Sequence, residues 1–240
     1  MSKITPYNTT DSKKKQVEKM FDNIAKRYDL LNHSLSFGMD YYWRRKSIKY
    51  LTNNPKTILD VATGTADFAI SAAKLKDVKI TGIDISEGMV NIGKEKIKRK
   101  GLEGIIELQI ADSENLPFSE NSFDAITAGF GVRNFENLEK GLSEMYRVLS
   151  KNGIAAILEP SKPKAFPLKQ IYTIYFNHLL PLFGKLISKD NSAYTYLPNS
   201  VEAFASGKDF IKNLENVGFK SCNHIPLTFG IVDLYVAIKE

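Results

Sequence analysis

The sequence predicts an α/β fold: a Rossmann-like, mostly parallel sheet finished by an antiparallel C-terminal strand. Three observations carry this prediction. Short β-branched and apolar runs recur from residue 57 to residue 159 with helix-length stretches between most of them, the alternation that builds a parallel sheet. The rhythm then changes, because residues 225–231 lead directly into 232–238 with no room for a helix, so the last two strands form a hairpin. Finally, Asp60, Asp84 and Asp112 stand at three successive strand ends, where an open α/β sheet receives its ligand.

In chain order, residues 17–31 and 41–51 read as helices ahead of the sheet. Strands are expected at 57–61, 79–84, 105–111, 123–128 and 153–159, each a short buried run. Helices are expected at 67–76, 87–100 and 137–149, the last with Leu138, Leu142, Met145, Tyr146 and Leu149 at helical spacing, the stripe of a core-facing helix. A further helix is expected at 201–217. With no Pro/Gly/Ser-rich linker, the 240 residues read as a single domain. Its parts are a helical N-terminal cap (1–52), a ligand-binding core (53–161), an aromatic- and proline-rich insertion on the substrate side (162–200), and a final helix and hairpin (201–240).

Composition removes several function classes. Hydrophobic residues at 43% and charged residues at 25% are ordinary for a globular enzyme. The apolar stretch 171–187 is broken by Asn177, His178, Pro181, Gly184 and Lys185, too polar for a membrane span. The polar first fifteen residues lack the apolar run of a secretory signal, so a cytoplasmic address is expected. One cysteine, Cys222, excludes an intrachain disulfide, and His33, His178 and His224 show no metal-ligand spacing, so no metal is expected. The net charge of +6 suits plain solubility, an anionic membrane face or a nucleic acid, but no interleaved basic and aromatic motif favours nucleic acid. Lys94, Lys96, Lys98, Arg99 and Lys100 form a basic cluster that suits anionic lipid, although cations are favoured at a helix end in any case.

The loop after the first strand, Asp60-Val61-Ala62-Thr63-Gly64-Thr65-Ala66-Asp67, joins a carboxylate to a turn of small residues that lets a ligand approach the backbone. A dinucleotide site would need G-x-G-x-x-G to seat a pyrophosphate, and only Gly64 of that set is present. S-adenosylmethionine (SAM) has no pyrophosphate and carries a cationic end, which Asp60 and Gly64 suit. Asp84, followed by Ile85, can accept both ribose hydroxyls. Taken singly, each aspartate also suits a helix N-cap or a turn.

Five segments resemble the ubiquinone/menaquinone biosynthesis C-methyltransferase family. They are Tyr28-Asp29-Leu30-Leu31-Asn32 running on to Trp43; Asp60 to Asp67; Gly129-Phe130-Gly131-Val132-Arg133-Asn134-Phe135; Arg147-Val148-Leu149 through Glu159-Pro160-Ser161; and Tyr194-Thr195-Tyr196-Leu197-Pro198-Asn199-Ser200. Leu31 stands where the family usually has Met, Asp40 where it has His, and Thr63 and Ala66 where a further glycine is common. Ser150, Lys151 and Asn152 depart from the family's turn. An Asn/Asp-Pro-Pro-aromatic motif, usual in methylation of nucleobase nitrogens, is absent after the fourth strand.

The resemblance implies a class I SAM-dependent methyltransferase with a seven-stranded sheet, and transfer of a methyl group to a ring carbon of a polyprenylated quinol. It covers both the naphthoquinol of menaquinone synthesis and the benzoquinol of ubiquinone synthesis, with demethylmenaquinol favoured. It implies cofactor contacts at Asp60, Gly64, Thr65, Asp84, Ile85, Asp112 (toward the adenine amino group), Ser113 and Gly129. For that reaction, Asp67 opens the first helix beside the loop, Arg133 and Asn134 follow the fourth strand on the same edge, and Tyr28 lies in the cap, so Asp67 is expected to accept the proton, directly or through water, Arg133 to stabilise the phenolate charge, and Asn134 with Tyr28 to orient the hydroxyls. The aromatic stretch from Phe166 to Leu186 suits a tail channel, peripheral membrane contact, core packing or a homodimer contact alike.

Overall fold

The computed structural model describes residues 4–7, 9–175 and 191–240. Its sheet has seven strands in the order β3-β2-β1-β4-β5-β7-β6. The strands are β1 (Thr57–Val61), β2 (Lys79–Asp84), β3 (Ile106–Ile110), β4 (Phe123–Gly129), β5 (Leu149–Pro160), β6 (Lys220–Leu227) and β7 (Val232–Ile238). β1 to β5 are parallel, and β7 runs antiparallel between β5 and β6.

Helices cover both faces, which is why the central strands read as continuous apolar runs. One face carries α2 (Met39–Ile48), α3 (Asp67–Ala72) and α4 (Glu87–Arg99), packed through Trp43, Phe68, Val90 and Ile97 onto Ile58 and Ile80. The other carries α5 (Leu138–Val148) and α8 (Lys208–Asn216), whose Leu142, Met145, Phe210 and Leu214 pack onto Leu59, Ile126 and Tyr235. α4 begins where Ser86 accepts from the Met89 N–H, and α5 where Asn137 accepts from the Lys140 N–H, each satisfying a donor the helix leaves open. The insertion contributes α6 (Leu168–Ile174) and α7 (Asn191–Ala203).

The strand order reverses between β1 and β4, so a crevice opens at their carboxyl ends. α1 (Lys13–Leu35) lies across that crevice and is tied to each strand end in turn. Asp29 pairs with Lys96 at 2.5 Å and accepts from Thr65. Asp22 accepts from the Ser86 hydroxyl at 2.6 Å and the Gly88 N–H at 2.9 Å, at the head of α4. Lys14 reaches Asp112 at 2.7 Å, and Lys13 donates to the carbonyls of Arg133 and Phe135 at 3.1 and 2.8 Å.

Four expectations are corrected. The helix expected at 201–217 is two, α7 and α8, separated by Gly207 at φ +62°, where glycine tolerates a backbone that would strain other residues. The fifth strand begins earlier than expected: Leu149 already pairs with Phe123, residues 150–153 loop out with Asn152 at positive φ, and pairing resumes between Ile154 and Ala125. The first hairpin strand ends at Leu227, because residues 228–230 all take positive φ and turn the chain. The basic cluster also loses one member. Lys96 turns inward, and its four companions lie on or just beyond the C-terminal half of α4, which runs away from the crevice toward the start of β3.

Candidate active site

Three adjoining spaces occupy the crevice. A polar cleft is lined by Gly64, Asp84, Ile85, Asp112, Ser113 and Gly129 from the strand ends and roofed by Lys14, Val17, Phe21 and Tyr28 of α1. A small recess beside it is lined by Asp60, Gly64, Thr65, Asp67, Gly129, Arg44 and Tyr28. On the other side lies an apolar cavity of about 700 Å³, walled by α1, α2, α6 and α7 and by the turn between β6 and β7. Tyr28 borders all three, and Phe21, Phe130 and Asn134 border both the cleft and the cavity.

The cleft's carboxylates are held rigidly. Asp84 accepts from the Gly64 N–H at 2.8 Å and the Ser86 N–H at 2.9 Å. Burial raises its pKa, and those backbone donors pull it part of the way back. Asp60 lies one layer deeper and accepts from Thr63 at 2.5 Å, Thr127 at 2.7 Å and the Ala69 N–H at 3.1 Å. Burial pushes it up to about 6 against those hydrogen bonds. Thr63, standing where the family commonly has glycine, thus braces Asp60, while Ala66 takes φ +71°, the region glycine adopts freely. Gly129 lets the end of β4 pack closely on α3, since a Cβ there would lie 3.0 Å from the Phe68 ring.

These surroundings fit SAM. Asp84 and Asp112, one at each of two strand ends, face one cleft, and the recess behind Gly64 holds a buried Asp67 oxygen without a hydrogen-bond partner, an acceptor suited to an ammonium group. Asp112 is engaged by Lys14, and Thr65 lines the recess while donating to Asp29.

The four expected catalytic residues are divided between the spaces. Tyr28, Arg133 and Asn134 line the apolar cavity. Asp67 lines the recess, 2.8 Å from Lys96, 3.6 Å from His33 and 3.9 Å from Arg44. Burial pushes Tyr28 up to about 12, with Arg133 and Arg44 pulling the other way, so its hydroxyl keeps its proton at neutral pH. Arg133 pairs with buried Glu159 at 3.0 Å and donates to the Phe130 carbonyl, fixing the loop after β4. Asn134 accepts from the Tyr196 hydroxyl at 3.1 Å, which joins α7 to the same loop.

Several pairings around the site were not legible in the sequence, although Asp29, His33, Asp40 and Trp43 lie in the segment from Tyr28 to Trp43. His33 meets Asp40 at 2.8 Å, and Arg44 pairs with the same carboxylate. Asp29, His33 and Asp67 offer ligand atoms within 4.8 Å of one another, but the Lys96 ammonium already bonds both carboxylates and supplies a positive charge there. Trp43 donates to Thr228 at 2.7 Å and closes one wall of the cavity. Of the aromatic stretch, residues 176–186 lie outside the described residues.

Comparison with known proteins bears on this arrangement. The profile of the ubiE/COQ5 methyltransferase family matches residues 9–239. A demethylmenaquinone methyltransferase of Bacteroides fragilis is 52% identical over 239 residues, covering 99% of this chain and 98% of that protein. A ubiquinone/menaquinone biosynthesis C-methyltransferase of Geotalea daltonii is 47% identical, covering 95% of this chain and 97% of that protein. Among solved structures, a SAM-dependent methyltransferase of Thermotoga maritima, described as a possible histamine N-methyltransferase, superposes with a TM-score of 0.65. At 19% identity, over 92% of this chain and 99% of that one, it speaks for the fold alone.

Proposed function

The chain belongs to the ubiE/COQ5 methyltransferase family, and we propose that it methylates a ring carbon of demethylmenaquinol in menaquinone biosynthesis, using SAM. The observation that carries the substrate reading is the junction at Tyr28. There a polar cleft suited to a nucleoside adjoins an apolar cavity of about 700 Å³, within the range of small-molecule sites, with room for a fused ring and the start of a prenyl tail.

When bound, SAM would supply an electrophilic methyl group: its bond to the sulfonium sulfur breaks, leaving a neutral thioether, as the electron-rich quinol ring carbon takes the methyl. The chain's own contribution is positioning and charge. When SAM is bound, Asp84 with Ile85 would hold the ribose hydroxyls, Asp112 and Ser113 the adenine, and Asp60 with Gly64, Thr65 and Gly129 the cationic end; all of these residues line the cleft or the recess. Tyr28 and Asn134 orient the ring oxygens, and the Arg133 charge favours phenolate character, which places electron density on the adjacent carbon. Asp67, in the recess rather than the cavity, accepts the departing proton through water.

The cavity mouth supports peripheral contact with a lipid surface. Phe37, Ile171 and Ile174 line the cavity and yet are 83%, 59% and 57% exposed, and Phe229, 77% exposed, adjoins Thr228 of the wall. Among the described residues no helix is long and apolar enough to cross a membrane. We therefore place the chain at the membrane surface, collecting the tail through this mouth.

The test is methyl transfer from labelled SAM to reduced demethylmenaquinone, to its oxidised form, and to a demethylated polyprenyl benzoquinol. Transfer to the reduced naphthoquinol above the other two is expected, whereas preference for the benzoquinol would move the chain to ubiquinone synthesis. With substrate in vesicles, Phe37→Ser with Phe229→Ser is expected to raise KM several-fold and leave kcat for a short-tailed soluble quinol unchanged. An unchanged KM would remove the membrane-facing mouth.

A further inference from the structure

One polar group in the cavity wall is not accounted for by the fold. Asn32 lies in the last turn of α1, where its carbonyl accepts from the Ser36 N–H, and it lines the apolar cavity. Its Nδ2 is buried and has no hydrogen-bond partner among the described residues. A dry, unpaired amide destabilises a folded chain, so such a group calls for an explanation in the ligand it faces.

Its position supplies one. Asn32 follows Tyr28 by one helical turn, so the two side chains stand on one stripe of α1, about 6 Å apart along the axis at a rise of ~1.5 Å per residue. Both line the cavity, and the residues between and beyond them on that wall, Leu31 and Leu35, are apolar. Two hydrogen-bonding side chains on one otherwise greasy stripe match an aromatic ring that carries an oxygen at each end.

We propose that the Asn32 side-chain amide donates to the ring oxygen of the quinol farther from Tyr28, so that α1 holds a 1,4-dihydroxyarene by both oxygens and fixes which ring carbon faces the methyl donor. Asn32 is thus a substrate-binding residue that sets ring selection and registration. The inference rests on the quinol reading above.

The experiment compares two substrates and three proteins. One substrate is the tailed 1,4-naphthoquinol; the other is the same molecule without the oxygen farther from the methylated carbon. Asn32→Leu keeps the volume and removes the amide, and Asn32→Asp keeps the shape and removes the donor at neutral pH. Wild-type protein is expected to prefer the diol, and both variants to lose about tenfold to a hundredfold in kcat/KM on the diol and little on the mono-ol, the size of one hydrogen bond to a partly charged oxygen. SAM affinity by calorimetry is expected to be unchanged, and Tm of Asn32→Leu to rise, because a dry amide is replaced by an apolar group. A structural role would lower Tm and slow both substrates alike. Equal losses on the two substrates, or no loss on the diol, would overturn the proposal while leaving the quinol reading intact. Failure of wild-type protein to methylate the diol would instead overturn the quinol reading, and this inference with it.

Discussion

At the cofactor cleft the deciding groups are carboxylates already braced by the backbone and by hydroxyls, Asp84 by two N–H donors and Asp60 by Thr63, Thr127 and Ala69. Across Tyr28, the cavity is walled by Leu31, Leu35, Trp43, Phe130 and Ile231, and its few polar groups come from α1, α7 and the loop after β4. The first region is preorganised by strand ends that the sheet fixes; the second is assembled from added helices held by side-chain pairs. Cofactor binding therefore depends on the core, and substrate choice on the parts laid over it. The two regions are predicted to fail differently.

The largest effect is expected at the joint between them. Arg133→Ala leaves Glu159 buried without its partner, and breaking such a pair costs roughly 3–5 kcal/mol, to be read by chemical denaturation. A loss below about 1 kcal/mol would mean the pair does not organise the loop. Next, Asp84→Ala is expected to weaken SAM binding by about a hundredfold or more, the loss of charge-assisted bonds to two hydroxyls, while Trp43→Phe in the cavity leaves SAM affinity within a factor of about two. Comparable losses in the two variants would erase the distinction between the regions.

Asp60 gives a test by pH. Its folded pKa of about 6 lies above the ordinary 3.8, so the folded chain holds that proton more tightly than the unfolded chain does. The resulting stability is fully present below 3.8 and is lost as pH rises through about 6, roughly 3 kcal/mol at ~1.4 kcal/mol per unit. Affinity for cationic SAM should run the other way, rising over the same window as the carboxylate ionises. Asp60→Asn is expected to flatten both trends; a wild-type profile in the variant would place the titration elsewhere. The smallest effect is local: Ala66→Gly should stabilise by about 1 kcal/mol or less, since glycine relieves the φ of +71° but costs more chain entropy. Destabilisation there would show that the loop carries no such strain.

The same division decided what the sequence could reveal. β1 and β2 fell at their expected residues because a β-branched, doubly buried strand ending in a carboxylate is a local pattern. The edge strand β6 begins at Lys220, earlier than its apolar end at residue 225 indicates, because an exposed edge strand has no need of an apolar run. Around the site, the strand-end aspartates were legible for that local reason. Lys14 on Asp112, Lys96 between Asp29 and Asp67, and Tyr196 on Asn134 join residues far apart in the chain and leave no periodic trace. Lys96 is the clearest case: among lysines at a helix end it reads as solvated, and only packing of α1 and α3 against α4 turns it inward.

The central claim is that the cleft and the cavity meet at Tyr28 so that a methyl group passes from SAM to ring carbon. The most direct measurement is a single turnover with trideuteromethyl SAM and reduced demethylmenaquinone, with the product examined by mass spectrometry and carbon NMR. One trideuteromethyl group bonded to the ring carbon between the oxygen-bearing carbon and the tail-bearing carbon is expected. A methyl group on oxygen, or tight binding of both substrates without transfer, would contradict it.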